Sequence, residues 1–284
     1  MNQLYDELRR VLLPAYGAAE ARAIALLLLE KAYGLTPTDV YMGKGKHFSE
    51  AGQAAWENIL RRLAAGEPVQ YVLGEADFCG HSYRVTPDTL IPRPETEELV
   101  QTVVGDLATR GLERAPLCVL DGGTGSGCIA IELALRLPGA DVEAWDIAAP
   151  TLGVARDNAR RLGARVRFVE RDLLAAPLAG CHYDVIVSNP PYIAEAERAA
   201  MAPHVVAHEP GRALFVPDTD PLRFYRALAR LAVATLAGDG LLAVEINQAY
   251  GAAVVALFTA AGLCGAAVRR DRFGNDRIVT ARRS

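Results

Sequence analysis

The stretch Leu117-Cys118-Val119-Leu120-Asp121-Gly122-Gly123-Thr124-Gly125-Ser126-Gly127-Cys128-Ile129-Ala130 constrains the fold of this 284-residue chain more than any other. A short apolar run ends on an acid, glycines turn the chain at once, and helix-spaced apolar residues follow. A strand that feeds directly into a helix cannot pair with the next strand as a hairpin. It has to cross over, and the sheet around it becomes parallel. The alternation continues: helix at 95–110, strand at 117–121, helix at 127–136, strand at 141–146, helix at 149–162, and strands at 166–170 and 183–188. After these come a helix near 221–236, a strand at 240–246, a helix at 248–261 and strands around 264–269 and 276–281. The last pair, joined by Arg272-Phe273-Gly274-Asn275, reads as an antiparallel hairpin at the sheet edge. The expected class is α/β, with a seven-stranded, doubly wound, Rossmann-like sheet.

The part before that sheet has a different period. From Leu4 to about Leu63 apolar residues recur at helical spacing, with breaks at Pro14, Gly17, Gly34 and Gly66. Thr36-Pro37-Thr38-Asp39 and Ser49-Glu50 read as helix starts, so a small bundle of four or five helices is expected. Residues 76–85 then show the aromatic, β-branched and glycine content of a hairpin, read as a linking element. The expected division is a helical domain at 1–74, a hairpin linker at 75–94 and the sheet domain at 95–284.

With 51% apolar residues the chain can fill at least one large core. A net charge of -4 disfavours a strongly basic nucleic-acid binder without excluding a local basic patch. Lys31, Lys44 and Lys46 are read as a solvated helical face, with a partner-contact surface as the sharper alternative. The five cysteines, at 79, 118, 128, 181 and 264, are far apart and never form C-x-x-C, so no metal site and no disulfide framework is expected. The histidines at 81, 182, 204 and 208 show no ligand spacing. The run Ala23–Leu29 is too short to span a bilayer and no leader pattern precedes it, so a soluble, cytoplasmic protein with no membrane partner is expected.

Gly123, Gly125 and Gly127 form G-x-G-x-G, and Cys128 stands where a dinucleotide fingerprint has its third glycine. Such a turn lets a ligand approach the backbone and meet free N–H groups at a helix N-terminus. Asp146 ends the next strand, where a carboxylate can accept two hydrogen bonds from a ribose diol. Asp172, followed by Leu173, ends the third strand and can accept from an adenine amino group. Three polar strand ends around one crevice point to an adenosine-bearing cofactor. At the end of the fourth strand stands Asn189-Pro190-Pro191-Tyr192, opposite the glycine loop, where open α/β sheets bind ligands.

Together these motifs resemble class I S-adenosylmethionine-dependent methyltransferases that modify planar amino or amide nitrogens. Leu90-Ile91-Pro92-Arg93-Pro94-Glu95-Thr96-Glu97, the loop Gly123 to Ala130, Ile186 to Ile193 and Asp276-Arg277 narrow the resemblance to the peptide chain release factor glutamine N5-methyltransferase family (PrmC, also called HemK). The resemblance implies methylation of the glutamine in the Gly-Gly-Gln motif of bacterial class I release factors, with S-adenosylmethionine as cofactor. It implies a cofactor site at Gly123, Thr124, Gly125, Ser126, Gly127, Asp146, Asp172, Leu173 and Asn189. Catalysis is expected at Asn189, Pro190 and Tyr192, with the substrate amide held by Asn189, Pro190, Pro191 and Tyr192. The helical front is expected to recognise the release factor, without direct contact to nucleic acid. Gly122, His208, Val216-Pro217-Asp218 and Asn247 depart from the usual family residues. The competing reading is methylation of adenine N6 in DNA, or of an RNA base, because an exocyclic amine presents the same planar N–H pair.

Overall fold

A computed structural model describes residues 2–45, 48–175 and 182–284. The chain folds as two compact units, one of residues up to Glu75 together with Ala202–His208, the other of Ala76–Met201 and Glu209–Ser284.

The first unit is helical: α1 (Gln3–Leu12), α2 (Ala18–Tyr33), α3 (Pro37–Tyr41), α4 (Glu50–Ala64) and α5 (Val69–Leu73). Side chains satisfy the unpaired amides at three starts. Asn2 accepts from Leu4 N at 2.9 Å, Thr36 and Asp39 form a reciprocal capping box, and Ser49 accepts from Gly52 N at 3.3 Å. Leu8, Leu12, Leu28, Leu29, Trp56 and Leu63 build its core, and the Trp56 indole donates to Glu7 at 2.7 Å. Lys31 pairs with Glu75 at 3.6 Å and Lys44 with Asp39, while Lys46 lies outside the described residues.

In the second unit β1 (Glu75–Phe78) and β2 (His81–Arg84) make a two-stranded ribbon. This ribbon, expected to link the units, is packed into the second one. Phe78 and Tyr83 are buried with Leu99 and Val103, and the Tyr83 hydroxyl donates to Glu132 at 2.8 Å. The elements that follow are α6 (Pro94–Thr109), β3 (Cys118–Gly122), α7 (Cys128–Arg136), β4 (Asp141–Asp146), α8 (Ala149–Leu162), β5 (Val166–Glu170) and β6 (Tyr183–Ser188). After a stretch of short pieces, β7 (Ile193–Ala194), α9 (Pro203–His208, which belongs to the first unit), α10 (Gly211–Leu214) and β8 (Phe215–Val216), the pattern resumes. It closes with α11 (Arg223–Thr235), β9 (Leu236–Glu245), α12 (Gly251–Ala260), β10 (Leu263–Arg270) and β11 (Asp276–Arg283).

The seven-stranded sheet has the order β10-β11-β9-β6-β3-β4-β5. Strands β9, β6, β3, β4 and β5 run parallel, and β11 is antiparallel to both of its neighbours. Helices cover both faces, so adjacent residues of one strand are buried on opposite sides. Val119 and Val185 pack with α6 and α7, whereas Leu120 and Ile186 pack with Tyr225 and Leu228 of α11 and Phe258 of α12. Strand β9 begins at Leu236 rather than 240. Its first pair, Tyr183↔Leu236, is separated by a bulge from Val185↔Leu241, with Asp239 at a left-handed φ of 61°.

Candidate active site

Strand order reverses between β3 and β6, and the crevice beyond their carboxyl ends is where such sheets bind ligands. The Ser188 hydroxyl ties the two ends together, donating to the Gly122 carbonyl at 2.6 Å. The glycine loop leaves β3 with φ of 77° at Gly123 and 57° at Gly125, and a Cβ at either would meet open space. Gly127 serves the fold instead. At φ 85°, its Cβ would lie 3.0 Å from Ile131 Cδ1 and 3.1 Å from Ala155 Cβ, so its absence lets α7 seat against α8. The departure at Gly122 has a local reason, since a Cβ there would stand 3.0 Å from Leu173 Cδ1.

The loop differs from expectation in one respect. Its amides are engaged by β4: Gly123 N and Thr124 N both donate to the Trp145 carbonyl, at 2.9 and 2.8 Å, and Gly125 N donates to Asp146 Oδ2 at 3.0 Å. These three amides are therefore not free to hold a phosphate. The loop offers acceptors instead. Asp146 Oδ1 accepts from Ala148 N at 3.0 Å, so each of its oxygens holds one backbone amide and retains a further lone pair. Burial raises its carboxyl above the ordinary value, against those two amide bonds. Asp172 Oδ1 accepts from Leu174 N at 2.8 Å. Beneath the loop, Asp121 Oδ2 accepts from the Thr124 hydroxyl at 2.6 Å, while Oδ1 is buried with no partner among the described residues. Burial pushes Asp121 up to about 7, with the Thr124 hydroxyl and the Ala130 amide opposing it and the nearby Asp146 charge adding a smaller push upward.

A cavity of about 360 Å³ opens at this crevice. Of the residues expected there, Gly123, Gly125, Asp146, Asp172, Leu173, Asn189 and Pro191 line it. Thr124, Ser126, Gly127, Pro190 and Tyr192 do not stand on its wall. Thr124 and Ser126 are buried beneath it, and the Ser126 carbonyl is held by the Asn158 amide at 2.9 Å. Sequence reasoning missed Asp88, Leu90, Thr151, Arg171, Arg212 and Phe224 on the wall. Arg212, which reaches the Thr151 hydroxyl at 3.3 Å, comes from the stretch of short elements where no periodicity guides a reading.

On the β6 side, Asn189 follows the pair Ser188↔Val244 and so stands beside Glu245 at the end of β9. Its Nδ2 donates to Thr96 Oγ1, in the first turn of α6, at 3.1 Å. Thr96 Oγ1 in turn donates to Glu245 Oε2 at 2.7 Å, and the Tyr192 hydroxyl donates to Glu245 Oε1 at 3.0 Å. Burial raises the Glu245 carboxyl, with the Thr96 and Tyr192 bonds and the Arg277 charge acting the other way. Burial also raises the Tyr192 hydroxyl, and the Glu245 charge raises it further. Asn247, another departure, pins this corner by donating to Glu197 at 3.0 Å and to the Tyr192 carbonyl at 3.4 Å. Thr96, within the Leu90–Glu97 motif, and Glu245 were given no role in the sequence, because each joins the site only through tertiary contact.

Residues 3–74 match the family model described as the PrmC N-terminal domain, and residues 105–215 match the methyltransferase small domain. The release factor glutamine methyltransferase of Bacteroides thetaiotaomicron is 44% identical over 284 residues, covering 100% of both chains. That of Flavobacterium psychrophilum is 38% identical over 92% of this chain and 91% of its own. Among solved structures, a methyltransferase from Pyrococcus furiosus aligns with 80% of this chain and 99% of its own at a TM-score of 0.52 and 17% identity, a likeness of fold.

Proposed function

The chain belongs to the release factor glutamine methyltransferase family, and on that premise we propose that it transfers a methyl group from S-adenosylmethionine to the side-chain amide nitrogen (N5) of the glutamine in the Gly-Gly-Gln motif of class I peptide chain release factors. The observation that carries this reading is the pairing of an acceptor-rich glycine loop with Asn189 on the wall of one cavity.

The residues fit the cofactor. Gly123 and Gly125 leave the loop surface clear, Asp146 keeps acceptor capacity for a ribose diol, and Asp172 for an adenine amino group. Thr124, Ser126 and Gly127 shape the loop from beneath, and Leu173 adds an apolar wall. Bound there, S-adenosylmethionine supplies an electrophilic methyl group carried on a sulfonium.

The substrate is a poor nucleophile, because the amide lone pair is delocalised into its carbonyl. The protein answers by positioning. With Nδ2 held by Thr96, Asn189 turns Oδ1 away from α6 to accept one substrate N–H, and the Pro190 carbonyl accepts the other. Proline at 190 stiffens the strand exit and keeps its acceptor. Pro191 borders the slot, and Tyr192, set back from the cavity wall, would pack behind the amide plane. Orientation of this kind supplies roughly 7–11 kcal/mol in favourable cases, so no dedicated base is required. The alkylated nitrogen is acidic and loses its proton after the methyl group has moved.

The helical residues 1–74 would recognise the release factor, 75–94 would join them to the catalytic part, and 95–284 would carry the chemistry. We place the enzyme in the cytoplasm, where release factors work; among the described residues no helix is long and apolar enough to cross a membrane. A protein amide is preferred over a nucleic-acid base because the chain carries a net charge of -4, whereas binding a polyanion rewards basic surface. The test is transfer of labelled methyl to release factor, DNA and RNA side by side. Label on the release factor supports the proposal, and label on nucleic acid alone overturns it.

A further inference from the structure

Glu245 is a buried carboxylate whose two oxygens each hold one hydroxyl, that of Thr96 on α6 and that of Tyr192 after β6. Oε2 accepts from Thr96 Oγ1 at 2.7 Å and Oε1 accepts from the Tyr192 hydroxyl at 3.0 Å. In these contacts both Glu245 oxygens accept, and a hydroxyl has a single proton to give. Thr96 gives that proton to Glu245, so towards Asn189 its oxygen can only accept. The Asn189 amide is therefore held with Nδ2 facing Thr96, at 3.1 Å, and Oδ1 turned the other way.

That orientation matters because the two flips of an asparagine amide are nearly equal in shape and opposite in function. One flip offers an acceptor to the substrate amide N–H, and the other sets donor against donor. We propose that Thr96 and Glu245 are positioning residues for methyl transfer: through the Thr96 hydroxyl the buried carboxylate selects the accepting flip of Asn189, and with its other oxygen it fixes the Tyr192 ring. The proposal rests on the reading of Asn189 as the acceptor of the substrate amide. Neither Thr96 nor Glu245 lines the cavity, and both act through the residues they hold. Arg277, itself paired with Asp271 at 3.2 Å, supplies positive charge near Glu245, which keeps a buried acceptor compatible with the fold.

The experiment measures kcat and KM for release factor, cofactor affinity by calorimetry and thermal stability, for Thr96→Val, Thr96→Ser and Asn189→Ala beside the wild type. Valine keeps the shape of threonine without the hydroxyl, and serine keeps the hydroxyl. The expected result for Thr96→Val is a kcat lowered roughly 10- to 100-fold, the scale of one lost orienting hydrogen bond, with KM and cofactor affinity near wild type. Thr96→Ser is expected to restore most of kcat. Should Thr96→Val fail to fold, Thr96→Ala takes its place with the same expected pattern. Wild-type kcat in the folded hydroxyl-free variant, with Asn189→Ala inactive, overturns the positioning role and leaves the reading of Asn189 intact. Equal loss of kcat in the serine and valine variants also overturns it, since the hydroxyl then has no part. Near-normal turnover by Asn189→Ala refutes the reading beneath it, and the proposal falls with that reading.

Discussion

Replacing Asp121 with asparagine removes a charge from beneath the glycine loop without changing the side chain's shape. The asparagine oxygen can keep the bond from the Thr124 hydroxyl, which is 2.6 Å long in the wild type. What changes is titration. In the unfolded chain the carboxyl ionises near its ordinary 3.8, whereas in the folded protein burial pushes it up to about 7. Between those values the folded protein holds a proton that the unfolded chain has released, so wild-type stability falls as pH rises through this window and levels off above it. The gap between those two values corresponds to about 4 kcal/mol in full, of which roughly 2–3 kcal/mol lies between pH 5 and pH 8. Asparagine has no such dependence. Its amide nitrogen, placed where Oδ1 now lacks a partner, adds a cost of about 1–3 kcal/mol that is the same at both pH values. Urea unfolding of cofactor-free protein at the two pH values, followed by Trp145 fluorescence with Trp56 replaced by phenylalanine, reads the sheet unit alone. The stability of Asp121→Asn relative to wild type should rise by roughly 2–3 kcal/mol from pH 5 to pH 8. A difference that stays flat would refute a carboxyl whose titration is raised by burial.

Further outcomes follow from neighbouring residues. Gly127→Ala should lose roughly 2–4 kcal/mol of stability, from the left-handed backbone and from crowding Ile131 and Ala155, and thermal melting checks it. Asp146→Ala should weaken cofactor binding by about tenfold or more by calorimetry, as expected for lost charge-assisted bonds; unchanged affinity would remove the ribose assignment. Glu209 is buried, accepts from Ile91 N at 3.2 Å and pairs with Arg93, so Glu209→Ala should cost roughly 1–3 kcal/mol in denaturant unfolding by leaving the Ile91 amide unsatisfied.

The parts of this protein that were legible in its sequence are those whose signal is local. Strands β3 and β6 stand out as short apolar runs closed by a polar residue, β4 and β5 as short stretches in which β-branched and aromatic residues are mixed with charged ones, and glycine or proline marks the breaks around α6, α7 and α8. The final hairpin follows from Arg272-Phe273-Gly274-Asn275 in the same way. Between 193 and 216 no element exceeds six residues, too short for a period to form, so β7, α9, α10 and β8 were invisible, as was the return of Ala202–His208 to the helical unit. The aromatic residues of the ribbon announced a hairpin, but nothing local says that Phe78 and Tyr83 belong to the core of the second unit. At the site, Gly123, Gly125, Asp146 and Asn189 were readable from spacing. Capture of the loop amides by Trp145 and Asp146 was not, because that depends on how closely β4 lies against the loop. Thr96 and Glu245 are 149 residues apart and meet only because α6 begins beside the end of β9.

Asn189 is proposed to present a substrate glutamine amide for methylation. Mass spectrometry of the Gly-Gly-Gln peptide of a release factor, after incubation with S-adenosylmethionine and either wild-type enzyme or Asn189→Ala, tests it most directly. One added methyl group on the glutamine with the wild type, and almost none with Asn189→Ala at cofactor occupancy matched by calorimetry, is the predicted result. Methylation at a wild-type rate by Asn189→Ala, or a wild-type product with the methyl group on another residue, would contradict it.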